Sequence, residues 1–208
     1  MITRRAFGGM AAAGITGLAL SGAVRADATV TQPELGENGM YHQPWFVDSF
    51  LVLPEDVAEA KADGKRLAVM WEQKGCPYCK ETHVVNLVRP DIQKFVRSNF
   101  NILQLDLWGS RKVTDFDGEE MEERALARKW GIVFTPTVMF FDDDLEKMKG
   151  KSGVKSEVAR MPGYFKPFHF LTMFEFVKDR AYGILHFQKY IMAKGERLRA
   201  EGKPVDLW

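Results

Sequence analysis

The stretch Leu67-Ala-Val-Met-Trp-Glu-Gln-Lys-Gly-Cys-Pro-Tyr-Cys79 contains both cysteines of the 208-residue chain. Its apolar first half, its glycine and the proline after the first cysteine are typical of a strand, a turn and the start of a helix. We therefore expect Cys76 to be the N-cap of that helix, with its sulfur facing the unpaired backbone N–H groups and the positive end of the helix dipole. This environment favours the thiolate, which is the nucleophilic form of cysteine.

The spacing of the two cysteines places Cys79 one helical turn after Cys76, on the same face. A thiolate at Cys79 is then close enough to attack a mixed disulfide on Cys76 and release the partner. Lys74 and Lys80 add positive charge nearby. The pattern predicts a thiol–disulfide oxidoreductase with Cys76 and Cys79 as catalytic residues and with no cofactor beyond their own disulfide.

Other interpretations of the cysteine pair stay open. A structural disulfide across so short a loop would stabilise the fold little, and a four-ligand zinc site would need a second Cys or His pair. His83, four residues after Cys79, leaves a hypothesis of another class: a module that binds or delivers copper or zinc through Cys76, Cys79 and His83. A third is a non-catalytic interaction domain with a fixed disulfide. Under the redox hypothesis we expect no metal site.

The first 26 residues have the pattern of a cleaved export signal. Arg4 and Arg5 form a charged start, a weakly apolar run follows from residue 8 to residue 24, and small residues around Ala26 suit a signal peptidase. The paired arginines resemble a twin-arginine signal, and Sec export is the alternative. Export predicts a periplasmic protein without stable membrane insertion, in a compartment where disulfides persist.

The composition indicates one globular core and excludes some partner classes. Hydrophobic residues make up 46% and charged residues 27% of the chain. Its 29 basic and 28 acidic residues, with three of the basic ones in the leader, leave no excess of positive charge for nucleic acid. We expect the substrate to be a thiol or disulfide of a partner protein.

The periodicity predicts an α/β fold, a mixed central sheet with helices on both faces. We expect an N-terminal arm over residues 27–49, a core domain over 50–180 and a C-terminal helical extension over 181–208. The expected strands are 67–71, 101–107, 137–141 and 154–160. The expected helices are 54–64, the cysteine helix to about residue 89 with a kink at Pro90, 119–129, 168–177 and 182–199. Residues 109–118 are expected to form a solvent-facing loop.

A C-x-x-C at a strand–helix junction, with Phe134-Thr-Pro-Thr137 opening a later strand, resembles the thioredoxin superfamily over roughly residues 50–180. The resemblance implies a thioredoxin fold. It also implies a cis Pro136 against the active-site sulfurs and a Thr135 backbone that pairs with the substrate. Pro77 and Tyr78, between the cysteines, would line the same groove.

More narrowly, residues 71–79, Lys129-Trp-Gly-Ile132 and Pro162-Gly-Tyr164 look like the SoxW-type periplasmic thioredoxins. That resemblance implies a place in a sulfur-oxidation system. Such proteins are thought to keep partner thiols reduced, with electrons delivered by a membrane thiol transporter.

Two positions depart from the usual thioredoxin pattern. Met70 stands where thioredoxins carry a buried acid six residues before the first cysteine. Glu72, on the same strand face, is either its replacement or an exposed strand-end glutamate. Gly75 stands where a tryptophan is usual, which should leave the Cys76 sulfur more open.

Overall fold

The computed structural model describes residues 30–205 of the chain. The expected export signal lies outside this range, as do residues 27–29 and 206–208. Within the range, no helix combines the length and the apolar character that a membrane crossing requires.

A four-stranded mixed sheet with strand order β4-β3-β7-β8 lies at the centre of the fold. Strand β3 (Arg66–Glu72) runs parallel to β4 (Phe100–Asp106) and antiparallel to β7 (Thr137–Phe141). Strand β8 (Glu157–Pro162) is antiparallel to β7 at the edge. All seven residues of β3 are buried, as expected for a central strand covered by helices on both faces. The predicted fold class is confirmed.

The helices of the described residues are α1 (Leu53–Ala62), α2 (Pro77–Glu81), α3 (Pro90–Asn99), α4 (Glu123–Lys129), α5 (Leu145–Met148), α6 (Gly153–Ser156), α7 (Pro167–Lys178) and α8 (Phe187–Ala200). A π turn, Thr82–Asn86, continues α2, and a 3-10 turn, Ala181–Gly183, precedes α8. Two short antiparallel ribbons pair β1 (Glu34–Leu35) with β2 (Tyr41–His42), and β5 (Lys112–Thr114) with β6 (Glu120–Glu122).

Side chains alternate along β3 and divide the core into two layers. Val69 and Trp71 point to the layer that contains α1 and α4, whereas Ala68 and Met70 point to the layer of α3 and α7. Each fully buried large side chain contributes roughly 1.5–3 kcal/mol of hydrophobic stabilisation. The same alternation directs Glu72, at the end of β3, toward the layer of α3 and α7.

The cysteine helix ends before Pro90, so the expected kink is wrong. Arg89 is extended (φ −72°, ψ 129°), and Pro90 is the first residue of a separate helix, α3. The proline ring disfavours the helical conformation of the preceding residue, and its missing N–H costs nothing at a helix start. Pro90 therefore begins a helix rather than bending one.

The loop and helix expected over residues 109–129 are also partly wrong. Residues 112–114 and 120–122 pair as the β5–β6 ribbon, and α4 begins at Glu123. Val113, Asp115 and Phe116 are buried instead of facing solvent. Their burial explains the ribbon, because a buried loop needs partners for its backbone groups.

The strand expected over residues 154–160 is shifted toward the C-terminus. Residues 153–156 form the short helix α6, and β8 occupies residues 157–162. The backbone N–H of Gly153 donates to the Asp115 carboxylate at 2.9 Å, which fixes this turn beside the core.

The described part of the N-terminal arm packs on the domain. The Val47 N–H donates to the Ile102 carbonyl at 3.0 Å, and the Gln93 side chain bonds to the backbone of Thr31 at 2.8 and 2.9 Å. At the other end, α8 begins at Phe187, five residues later than expected. Its Lys194 ammonium, largely buried, bonds to Glu175 on α7 at 2.5 Å. The predicted division into arm, domain and extension stays a prediction.

Candidate active site

Cys76 and Cys79 are joined by a disulfide at the start of α2, with their Cα atoms 5.3 Å apart. Cys76 is the N-cap, and its sulfur accepts a hydrogen bond from the Cys79 N–H at 3.1 Å. Pro77 is in the first helical turn, as the sequence predicted. Both cysteines are largely buried, at 7% and 5% exposure. The attacking sulfur is thus held against helix N–H groups that stabilise a negative charge.

The Thr135–Pro136 peptide bond is cis and adjoins the disulfide, as the resemblance implied. The Thr135 hydroxyl lies 3.4 Å from the Cys76 sulfur and its carbonyl oxygen 3.5 Å from the same sulfur. Gly163 donates its N–H to the Pro136 carbonyl at 2.7 Å and ties this turn to the end of β8. Thr135 and Pro136 therefore form one wall of the site.

Exposed aromatic and apolar side chains surround this wall. Tyr78 is 60% exposed and its ring stacks on Tyr164 at 6.2 Å between centroids. Val133 and Phe134, directly before Thr135, are 74% and 62% exposed. Burial, and to a smaller extent the charge of Glu81, raises the pKa of Tyr164 above its ordinary value. The rim is apolar and accessible, which suits contact with another protein.

Trp108 was not singled out by the sequence, yet it contacts the turn that precedes Cys76. It is 68% exposed, and its indole N–H donates to the Gln73 side chain at 2.7 Å. Gln73 belongs to the turn before Cys76, whose N–H donates to the Gln73 carbonyl at 3.3 Å. A single tryptophan after a strand gives no pattern from which this placement could be read.

Glu72 and His83 form a buried pair beside the disulfide. Glu72 is 1% exposed and His83 is 0% exposed, and the imidazole Nε2 lies 3.0 Å from the Glu72 Oε2 atom. The Gln104 side-chain NH2 donates to the same Oε2 atom. Glu72 is therefore a buried acid and not an exposed strand end. His83 is buried as well, because the π turn directs it into the core.

A cleft of about 150 Å³ opens from the disulfide toward the N-terminal arm. Its walls come from the arm, the end of β3 and the start of α2: Gly39, Met40, Tyr41, Glu72, Gln73, Gly75, Cys76, Pro77, Cys79 and Lys80. The arm is fixed there by the Gln104 side chain, which donates to the Tyr41 carbonyl at 2.7 Å, and by Gln43, which donates to the His83 carbonyl at 3.3 Å.

The arrangement of His83 does not favour the metal hypothesis. The two sulfurs are bonded to each other, and the His83 Nε2 atom is directed at Glu72. Across residues 30–205, no group of three or more His, Cys, Asp or Glu side chains is placed to hold a metal ion.

Comparison with known proteins places the chain in a family. A model of the thioredoxin-like domain matches residues 53–178, more than half of the chain. The chain belongs to the thioredoxin-like family. Its C-x-x-C disulfide at a helix N-terminus, beside a cis-proline turn, makes this thioredoxin-like protein a thiol–disulfide oxidoreductase.

The chain is similar to several solved structures, and the first of those below supports the fold. A thioredoxin-fold protein from Helicobacter pylori is 20% identical with a TM-score of 0.50, over 73% of this chain and 92% of that chain. A thioredoxin from Thermus thermophilus is 25% identical with a TM-score of 0.45, over 61% and 83%. The oxidised C-terminal domain of DsbD from Neisseria meningitidis is 19% identical with a TM-score of 0.43, over 62% and 96%. No curated protein matched the sequence of this chain.

Proposed function

We propose that this thioredoxin-like protein reduces disulfides of partner proteins in the bacterial periplasm. Cys76 is the attacking residue and Cys79 the resolving residue. The observation that carries the assignment is the N-cap position of Cys76, whose sulfur accepts the Cys79 N–H at 3.1 Å. Cys79 lies within the helix and is not an N-cap. The helix N-terminus therefore stabilises a negative charge on the Cys76 sulfur more than on the Cys79 sulfur.

The reaction proceeds by two exchanges that balance without a cofactor. The Cys76 thiolate attacks one sulfur of the partner's disulfide, and the other partner sulfur leaves as a thiolate that takes a proton. The Cys79 sulfur, after losing its proton, then attacks Cys76. The Cys76–Cys79 disulfide forms, and the second partner sulfur leaves. Two electrons pass from the cysteine pair to the partner.

The partner would dock in a groove formed by Thr135, Pro136, Pro77 and Tyr78. Thr135 is half-buried next to the Cys76 sulfur, and Tyr78 is exposed at the opposite side. An extended partner segment beside Thr135 would use backbone hydrogen bonds for affinity and the apolar rim for side-chain contacts. Its cysteine would then reach the Cys76 sulfur.

The compartment and the electron source rest on the sequence. The export pattern of residues 1–26 supports a periplasmic location, and the SoxW-type resemblance supports a role in sulfur oxidation with a membrane thiol transporter as electron donor. Oxidised thioredoxin-like protein must be reduced again after each turnover, and a periplasmic protein needs electrons from across the membrane for this.

The cysteine roles are tested by two serine variants. Cys76→Ser should abolish turnover in an assay that couples dithiothreitol oxidation to reduction of a protein disulfide, because no attack is possible. Cys79→Ser should keep the first attack and accumulate a covalent mixed disulfide, visible on a non-reducing gel. Turnover by Cys76→Ser at the wild-type rate would overturn the assignment, as would trapping of partners through Cys79 in that variant.

The direction of electron flow is tested by the reduction potential of the Cys76–Cys79 pair. Titration against a thiol–disulfide buffer should give a value near the thioredoxin end of the scale, about −270 mV. A value of about −120 mV is that of a strong oxidant and would make the protein a disulfide donor. Tryptophan fluorescence or alkylation followed by mass spectrometry measures the oxidised fraction.

A further inference from the structure

We propose that Trp108 binds the partner segment beside the reactive disulfide and determines which protein disulfides are accepted. The inference rests on the proposed function, since it names a specificity-determining residue for the docking step that precedes the first exchange. Its basis is an exposed tryptophan that is held, through Gln73, against the turn that precedes Cys76.

The order of the strands places Trp108 and Thr135 on opposite sides of the strand that leads to the reactive cysteine. Strand β3 precedes Cys76 and lies between β4 and β7 in the sheet. Strand β4 is parallel to β3 and ends two residues before Trp108. Strand β7 is antiparallel to β3 and begins directly after Pro136. The end of β3, the end of β4 and the start of β7 therefore meet at one edge of the sheet.

A partner that reaches Cys76 at this edge is also within reach of Trp108. Neighbouring strands lie about 5 Å apart, so the end of β4 and the start of β7 are separated by about 10 Å. About three residues of extended chain span this distance. A short partner segment centred on the reactive cysteine is therefore long enough to contact Thr135 and Trp108 together.

The backbone around Trp108 is held by a buried carboxylate. Glu123 is 1% exposed and accepts hydrogen bonds from the Asp106 N–H at 2.9 Å and from the Arg111 N–H at 3.3 Å. The Trp108 N–H donates to the Asp106 carboxylate at 3.0 Å, and the Gly109 N–H donates to the Asp106 carbonyl at 3.0 Å. The turn after β4 thus presents the tryptophan from a hydrogen-bonded base.

The indole N–H of Trp108 is paired, whereas most of the ring is exposed. The N–H donates to the Gln73 side-chain oxygen at 2.7 Å, and the residue is 68% exposed. A tryptophan whose polar atom is already satisfied loses no hydrogen bond when a partner covers its ring. Because the side chain is held before binding, less conformational entropy is lost when the partner binds.

The turn between Gln73 and Cys76 is open to an approaching partner. Gln73 lines the disulfide cleft, and its carbonyl accepts the Cys76 N–H at 3.3 Å. Gly75 is exposed, and a Cβ built on it meets no atom within 4 Å. The partner can therefore approach the turn at Gly75, and the Trp108 ring adjoins the same turn at Gln73.

The ring is suited to an apolar side chain of the partner. Tryptophan offers a large apolar area and is enriched among the residues that contribute most to binding between proteins. Tyr78, Val133 and Phe134 are exposed apolar side chains near the same disulfide, so the partner meets apolar groups beyond Trp108 as well. The preferred protein disulfides carry an apolar residue close to the reactive cysteine.

The test measures how strongly the reduced protein prefers apolar residues beside a target cysteine. Two peptides carry one cysteine as a mixed disulfide with thionitrobenzoate, and the cysteine is flanked by leucines in one peptide and by serines in the other. Attack of the Cys76 thiolate on the peptide sulfur releases thionitrobenzoate, whose absorbance gives the second-order rate constant. The wild-type protein should prefer the leucine peptide by about 10-fold, which corresponds to about 1.4 kcal/mol. A wild-type protein without this preference would overturn the inference.

Trp108→Ala should reduce the ratio of the two rate constants about 10-fold, because the leucine side chains lose the ring. If Trp108 only supported the turn, both peptides would slow alike and the ratio would stay unchanged, which would overturn the inference. Trp108→Phe keeps an aromatic ring without the N–H, so its ratio should stay within about threefold of the wild type. An equal loss in both variants would assign the effect to the hydrogen bond with Gln73 and contradict the role of the ring.

Phe50→Ala is the matched control, because it removes an exposed aromatic ring from the segment before α1 rather than from the turn after β4. Phe50 is 94% exposed, so its removal leaves no cavity in the core. The control should keep the wild-type ratio. A loss as large as that in Trp108→Ala would overturn the specific role of Trp108.

A measurement on a trapped complex does not depend on replacing the tryptophan. Cys79→Ser should hold the leucine peptide as a mixed disulfide on Cys76, and NMR should show nuclear Overhauser contacts between the Trp108 indole and the leucine methyl groups. Absence of these contacts would overturn the inference. Failure of the wild-type protein to attack either peptide, or attack by Cys76→Ser at the wild-type rate, would instead overturn the proposed function.

Discussion

At the scale of single residues, Gly153 is a tightly enclosed position outside the active site. Its N–H donates to one oxygen of the buried Asp115 carboxylate at 2.9 Å, and the Trp130 indole N–H donates to the other at 3.1 Å. The Trp130 ring fills the space where a side chain on Gly153 would lie. A glycine is thus required at position 153 because the Trp130 ring lies so close, and not because of the backbone angles.

Gly153→Ala should therefore lower the free energy of unfolding by about 2–3 kcal/mol, the upper range for inserting a methyl group into a packed core. Urea unfolding followed by tryptophan fluorescence measures the change. Gly183→Ala is the matched control, because a Cβ there meets no atom within 4 Å. The control should stay within about 0.5 kcal/mol of the wild type. Equal stability of the two variants would contradict the packing argument.

Individual residues of the site differ in how far sequence could predict them. Cys76 as N-cap followed from Pro77 and the C-x-x-C spacing, because helix-start signals are local. Strand alternation predicted which face of the sheet Glu72 lies on. It did not predict how deeply Glu72 is buried, because burial depends on what covers that face. The contact of Gln104 with Tyr41 joins residues 63 positions apart, and no local pattern predicts such a contact.

At the scale of elements, the sequence predicted the long helices and strands correctly and the short ones incorrectly. The strands β3, β4 and β7 and the helices α1 and α7 were predicted to within a few residues, because each has an apolar pattern with flanking turn signals. Strands β5 and β6 have three residues each, too few to show a period. Their charged residues suggested a loop and a helix instead.

The π turn after α2 is an element that sequence could not predict. Its hydrogen bond from the Leu87 N–H to the Thr82 carbonyl, at 3.0 Å, spans five residues. The wider turn places Thr82, His83 and Asn86 all in buried positions. Such turns occur often at functional sites, and this one brings His83 to Glu72. From ordinary α-helical spacing, one could predict only that His83 lies on the same helix face as Cys79.

At the scale of the whole molecule, the arm and the domain share the active site. The family match covers residues 53–178, but the cleft beside the disulfide is also lined by Gly39, Met40 and Tyr41. The sequence indicated an extended polar arm, and its docking is set by long-range contacts to Ile102 and Gln104. The residues that form the site therefore extend beyond the range that the family model matches.

At the scale of the whole molecule, the contribution of Asp56 to stability should decrease as the pH rises from about 4 to 6. Burial raises the pKa of this carboxyl from 3.8 to about 6; a hydrogen bond from Ser49 opposes the shift, and Glu59 and Glu55 add to it. In this interval the folded state holds a proton that the unfolded state has released, so the free energy of unfolding falls with rising pH. Above pH 6 the Asp56 carboxyl is ionised in both the folded and the unfolded state, and the free energy of unfolding falls no further on its account.

Asp56→Asn removes this titration, so the variant should be more stable than the wild type by roughly 3 kcal/mol at pH 7 and should lose that advantage below pH 4. Urea unfolding at a series of pH values measures both curves. Asp48→Asn, which removes the same charge from an exposed position, should follow the wild type at every pH. If Asp56→Asn showed the same difference from the wild type at pH 3.5 and at pH 7, the ionisation of Asp56 would not be the cause. A gain confined to the higher pH would assign the pH dependence to this one buried carboxyl, independently of the redox chemistry at Cys76.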